Sequence, residues 1–199
     1  LTGLSRFLSG SKWGWNWKSK TSDDTKIASL GYEKKVFEEA KEMDKLNSGA
    51  AFPRLNLKTS GGNNLILPDG LETRLTIVLF YRGYWWPFCR RLLKGYEERR
   101  AALEEQGVSV VAASVDSESK ALEVAANLGF PVAWGVSRED GEKIGAWWEP
   151  VRNCIQPSEF VLGKNGKVIF SNYSNSPVGR MDPEETLVLI KYLNEQREK

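Results

Sequence analysis

Residues Thr76–Arg91 read TIVLFYRGYWWPFCRR. The unbroken apolar run at its start is that of a strand buried on both faces. Arg82-Gly83 marks a tight turn, and Trp86-Pro87-Phe88-Cys89 opens a helix, with Pro at a position that helices tolerate. A cysteine at a helix start meets backbone N–H groups that have no intrahelical partner, an environment that favours a thiolate. The stretch is therefore strand, turn, redox-type cysteine, helix.

The elements around it extend the pattern. Residues 55–70, LNLKTSGGNNLILPDG, read as two short strands about a Gly-Gly-Asn-Asn turn. Leu75–Tyr81 is the buried strand, and Phe88–Gln106 is one long helix stopped by Gly107. Val108–Ser114 is a second buried strand, Ser117–Leu128 a helix, and Glu139–Trp147 a short helix. Glu159–Leu162 and Lys167–Asn172 form a hairpin about Gly163–Gly166. Asp182-Pro183-Glu184-Glu185 begins the last helix with cap, Pro and acids in the favoured order. A βαβ unit followed by ββα implies an α/β fold: a central mixed β-sheet flanked by helices, the thioredoxin-like arrangement. We expect this domain over residues 51–199. Residues 1–50 form a Trp-rich N-terminal extension with one helix at about Tyr32–Leu46.

The whole-chain numbers exclude several classes. The chain has 199 residues, 27% of them charged, with a net charge of +2. That balance argues against a nucleic-acid partner. No apolar run approaches the ~20 residues of a membrane span, so the expectation is a soluble protein, intracellular or organellar. There is no histidine, which removes His-based general bases and His-ligated metals. Two cysteines, Cys89 and Cys154, are too few for a disulfide framework or a thiolate metal site. No cofactor is called for.

Two stretches carry a resemblance to a known family. Residues 81–93, YRGYWWPFCRRLL, resemble a segment that normally contains Cys-Pro-Phe-Cys. Residues 156–193, QPSEFVLGKNGKVIFSNYSNSPVGRMDPEETLVLIKYL, resemble the C-terminal half of typical peroxiredoxins. The chain from Phe52 to Asn194 is thus similar to the peroxiredoxin-like redoxins of the alkyl hydroperoxide reductase and thiol-specific antioxidant superfamily. The resemblance implies a thiol peroxidase that uses Cys89 and an external thiol reductant. It also exposes departures. Cys89 takes the peroxidatic position, and Trp86 replaces a Thr whose hydroxyl helps hold the peroxide. On the thioredoxin pattern, Trp86 instead replaces the first cysteine of the dithiol. Indole has one N–H donor and no acceptor, so it stands in for neither.

The family's arginine, which lowers the thiol pKa, falls at Pro157. Gln156-Pro157 becomes a candidate cis bond by likeness to thioredoxins. Arg152 is the nearest substitute in sequence and is assigned as catalytic with Cys89. Arg82 and Arg90 flank the motif and line the site with Trp86, Pro87 and Pro157. Pro177-Val178-Gly179-Arg180 reads as a loop into the last helix. Cys154 is either a resolving thiol for a Cys89 sulfenic acid or a small buried apolar residue. Trp13, Trp15 and Trp17 alternate within a Lys/Ser-rich segment. They either pack on their own domain or form a docking arm, Trp being a common hot-spot anchor. The other reading of the chain follows from the departures: a redox-silent thioredoxin-fold subunit that joins an assembly through this arm.

Overall fold

The computed structural model describes residues 44–197. Nine strands and five helices occur among them. They are β1 (Leu55–Thr59), β2 (Asn64–Leu67), β3 (Leu75–Tyr81), α1 (Pro87–Glu98), α2 (Arg100–Glu105), β4 (Val108–Ser114), α3 (Glu118–Ala125), β5 (Val132–Trp134), α4 (Arg138–Lys143), β6 (Trp148–Glu149), β7 (Cys154–Ile155), β8 (Ser158–Gly163), β9 (Val168–Tyr173) and α5 (Pro183–Arg197). Seven strands make one mixed sheet in the order β2-β1-β5-β4-β3-β8-β9, and β6 pairs with β7 separately. β3 is parallel to β4 and antiparallel to β8. Every residue of β3 is buried, as an unbroken apolar strand between two layers must be.

Alternate residues along these strands face opposite layers. Leu75, Ile77, Leu79 and Tyr81 of β3 pack with Val108, Val110 and Ala112 of β4 beneath α1, α2, α3 and α5. Val78 and Phe80 belong to the other layer, with Leu55, Leu57, Phe160 and Leu162. There Phe160 makes edge contacts with Phe52, Phe80 and Tyr173. Cys89 lies in the first layer, on the buried face of α1 in the same cluster as Tyr81.

Three features depart from the sequence reading. The long helix breaks at Arg99, where φ is −107° and ψ is 3°. Arg99 closes the turn with its N–H on Tyr96 O, while its guanidinium donates to Gly95 O and to Glu184 at the start of α5. The break falls where Arg99 bridges α1 to the start of α5, a contact that local helix propensity does not report. β5 is three residues long, too short to show a period, yet it joins the β1–β2 hairpin to β4. The cis candidate Gln156–Pro157 is not cis; the cis bond among the described residues is Leu67–Pro68. Pro157 O accepts from Ser174 N at 3.0 Å, which extends the β8–β9 ladder and keeps the chain straight into β8.

The helix expected at Tyr32–Leu46 lies outside the described residues except for Asp44–Leu46, which are not helical. Trp13, Trp15 and Trp17 also lie outside them. Residues 46–52 run along β9: Leu46 bonds Tyr173 and Ser171, and Gly49 N donates to Val168 O at 2.8 Å. No helix among the described residues is long and apolar enough to cross a membrane.

Candidate thiol site

Cys89 is the third residue of α1, with Pro87 in the first turn and Trp86 as the N-cap residue in extended conformation. Trp86 O accepts from the N–H groups of Cys89 (3.0 Å) and Arg90 (3.2 Å). The loop before the helix is tied to the end of β4. Asp116 accepts from Tyr84 N and from Ser114 Oγ, each at 2.8 Å. Burial pushes the Asp116 carboxyl up from its ordinary value, against those two bonds.

The Cys89 side chain is fully buried. Arg180 Nη2 donates to Cys89 Sγ at 3.0 Å, and Arg180 Nη1 donates to Pro177 O at 2.9 Å. Pro177 O also accepts from Trp86 Nε1 at 2.7 Å. The Trp86 indole N–H is therefore engaged in fixing the segment that delivers Arg180. Gly179 is needed just before it, because a Cβ there would stand 2.4 Å from Ser174 Oγ. A hydrogen bond from a guanidinium to a sulfur is charge-assisted, and a thiolate accepts it more strongly than a thiol does.

Beneath Arg180 lies Glu159 of β8, fully buried on the same sheet face as Val161. Its Oε2 accepts from Met181 N at 2.5 Å and from Asn172 Nδ2 at 3.3 Å. Burial pushes its carboxyl up to about 7, with its hydrogen bonds and the Arg180 charge opposing. A groove of about 410 Å³ opens beside Arg180 between α1 and the start of α5, lined by Phe88, Leu92, Gly95, Met181 and Pro183 among others.

The other sequence candidates gather in a second cluster. Arg82 is buried and pairs with Glu149 at 3.3 Å. It lies under the rings of Trp86 (5.0 Å) and Trp85 (5.4 Å). Cys154 sits opposite Glu149 in the β6–β7 pair. Burial raises its thiol, and a hydrogen bond from Arg82 partly offsets that. Arg152 stacks on Trp85 at 5.4 Å, and its N–H donates to Glu149. The arginine on Cys89 is Arg180, while Arg152 joins the Arg82, Glu149 and Cys154 cluster. Arg90, Pro87 and Phe88 are exposed, Trp86 is half-buried and Pro157 is buried. Both cysteines are free thiols.

The sequence reading passed over Arg180 and Glu159. Arg180 stood in the Pro-Val-Gly-Arg segment, with only the tight glycine as a local signal. Glu159 carried a clearer one, a lone charge in the apolar strand Ser158–Gly163. Among the described residues, no group of three His, Cys, Asp or Glu side chains could hold a metal ion.

The model of the AhpC/TSA family matches residues 48–171. No curated protein sequence matches the chain. Solved structures do. The peroxidoxin BcpB of Mycobacterium tuberculosis has 17% identity and a TM-score of 0.65 over 74% of this chain and 97% of that one. A peroxiredoxin-like protein from Aquifex aeolicus has 20% identity and a TM-score of 0.64 over 75% and 89%. The reduced 2-Cys peroxiredoxin of Plasmodium vivax has 14% identity and a TM-score of 0.65 over 77% and 99%. At these identities the likeness is one of fold.

Proposed function

The chain belongs to the AhpC/TSA family, and on that premise we propose that it is a thiol peroxidase working with one cysteine, Cys89, and an external thiol. The Cys89 sulfur forms an S–O bond with the terminal oxygen of a hydroperoxide. The O–O bond breaks, and the departing oxygen takes a proton and leaves as an alcohol or water. The sulfur is left as sulfenic acid. An external thiol condenses with it, releasing water, and a second thiol attacks the mixed disulfide to restore Cys89.

The observation that carries this reading is the Arg180 guanidinium on Cys89 Sγ at 3.0 Å. It supplies a fixed positive charge where the attacking sulfur and the peroxide oxygens meet. Trp86 offers no hydroxyl and its carbonyl occupies the Cys89 and Arg90 N–H groups, so the oxygens would rely on Arg180. The test is to treat the reduced protein with hydrogen peroxide or an alkyl hydroperoxide, trap with dimedone, and map the adduct. We expect it on Cys89 and absent in Cys89→Ser. No adduct with either peroxide overturns the reading.

The complete burial of Cys89 favours a second reading, a redox-silent subunit held in an assembly through Trp13, Trp15 and Trp17. On that reading Cys89 stays unmodified, and a variant lacking residues 1–30 loses the partners that co-purify with the full chain.

A further inference from the structure

We infer that Glu159 is a positioning residue for Cys89: through the Met181 N–H it fixes the adjoining Arg180, whose guanidinium holds the sulfur. The inference rests on the proposed role of Cys89 as the reacting atom, and it adds a control on that atom.

The geometry is a short relay. Glu159 stands on β8, opposite Leu79 of β3, with its side chain in the helical layer that contains Cys89. Its Oε2 accepts from Met181 N at 2.5 Å. The next residue back, Arg180, donates to Cys89 Sγ at 3.0 Å. The segment 174–182 has no strand or helix of its own. Glu159 holds it at Met181, the shared Pro177 carbonyl and Ser174 Oγ with Ser176 hold its middle, and its two ends are tied by Ser174 N on Pro157 O and by Asp182 on the N–H groups of Glu184 and Glu185. Of the side chains that hold it, Glu159 is the buried acid next to Arg180.

A carboxylate buried in an apolar strand costs stability unless it has a full set of partners. Glu159 lacks the full set: its Oε1 is buried without a hydrogen-bond partner, and so is Arg180 Nε. The groups around the carboxyl come from each neighbouring element. Arg180 on the connection and Asn172 on β9 act on it directly, and Tyr96 on α1 feels its charge, with Asp182 and, on α5, Thr186 acting in turn on Tyr96. Of these, only Arg180 brings a positive charge. Glu159 therefore alternates between a carboxylate that grips Met181 N–H strongly and a neutral acid that grips it weakly. Burial sets that change at about 7. The chain has no histidine, so no other side chain has its ordinary pKa there apart from perturbed thiols.

The experiment compares the full-length protein with Glu159→Gln, which keeps the shape and one acceptor but cannot ionise. Iodoacetamide alkylation of Cys89 is followed by peptide mapping between about pH 5 and 9. The ratio of wild-type to variant rate should be near one at the acid end. It should rise through neutrality to about fivefold, the difference between a charge-assisted and a neutral hydrogen bond. A flat ratio, or one that falls as pH rises, overturns the inference and leaves the thiol reactive. Failure of Cys89 to react in either protein at any pH overturns the proposed function and the inference with it. A measurement on the unaltered protein guards against misfolding of the variant. With isotope-labelled glutamate, which leaves Asp116 out of the signal, the infrared band of a protonated Glu carboxyl should persist until near neutrality; disappearance of every such band at an ordinary carboxylate pH overturns the inference.

Discussion

Arg180 and Cys89 are 91 positions apart, and that separation decides what each residue can be asked to show. Arg180→Met removes the charged donor on the sulfur. A hydrogen bond to a charged group contributes about 1.5–3 kcal/mol, so Cys89 oxidation should slow about tenfold to hundredfold. Arg180→Lys should recover only part of this, because one ammonium cannot hold both the sulfur and Pro177 O as a planar fork does. Stopped-flow oxidation by hydrogen peroxide reads both variants; an unchanged rate in Arg180→Met would remove the basis of the proposed mechanism. Arg82 is a different case. Its removal strands the buried Glu149 carboxylate, which keeps only the Val151 and Arg152 N–H donors. Arg82→Leu should destabilise the protein by about 3 kcal/mol, near the low end for a broken buried pair. Arg152→Ala, at an exposed position, should leave stability within about 0.5 kcal/mol, as urea unfolding of the two variants would show. The sequence drew attention to Arg82 and Arg90 because they flank the Cys89 motif, and to Arg152 because it lies near Pro157, where the family's arginine falls. Apart from the tight Gly179 before it, nothing local distinguishes Arg180, since its role is created by the path of the chain between β9 and α5.

At the scale of elements, the apolar runs of β3 and β4, the two hairpins and the cap of α5 were legible, because each states its own period or turn chemistry. The break at Arg99 and the short β5 were not, since both depend on partners far along the chain. The packing of α1 on α5 belongs with the second group. Gly95 sits inside α1, where glycine costs about 1 kcal/mol relative to alanine. The reason is Pro183: a Cβ on Gly95 would stand 2.9 Å from its Cγ. Pro183 opens α5, two residues after the Met181 that Glu159 holds. Gly95→Ala would gain helix propensity but push the start of α5 away, and a proline ring at a helix start has little room to yield. We expect net destabilisation of about 1–2 kcal/mol, typical of overpacking, together with slower Cys89 alkylation as the Arg180 segment shifts. A variant that is more stable and equally reactive would show that the two helices slide apart freely. Trp86→Cys tests the other end of α1. It places a second thiol at the N-cap, three residues before Cys89, and releases Pro177 O from the indole. Under mild oxidation an intramolecular disulfide should form, read as the loss of two hydrogens by mass spectrometry with both thiols blocked to alkylation. Two free thiols after oxidation would mean that the helix start does not bring the pair together.

For the whole molecule, the buried acids set how stability depends on pH. Glu159 is raised to about 7 from an ordinary value of 4.5, and Asp116 is also raised, in each case chiefly by burial. A group whose folded pKa lies above its unfolded one holds its proton longer in the folded state. Between those two values the folded protein binds more protons, so stability falls as pH rises. The contribution is therefore complete below about pH 4.5 and lost by the time the pH has passed 7. For Glu159 the loss is at most about 3 kcal/mol, taking 1.36 kcal/mol per unit. Exposed ion pairs such as Lys94–Glu98 and Lys143–Glu139 contribute little to set against it. The thermal midpoint should fall by about 5–10 °C between mildly acidic and mildly alkaline buffer, the shift such a loss produces in a domain of this size. Glu159→Gln carries no titrating group at that place, so its midpoint should change less over the same range and exceed that of the wild type on the alkaline side. Calorimetry of the two proteins at matched pH makes the comparison. Parallel curves would mean that Glu159 ionises at the same pH folded and unfolded, and that the burial of its carboxylate is fully compensated by Arg180 and its hydrogen bonds.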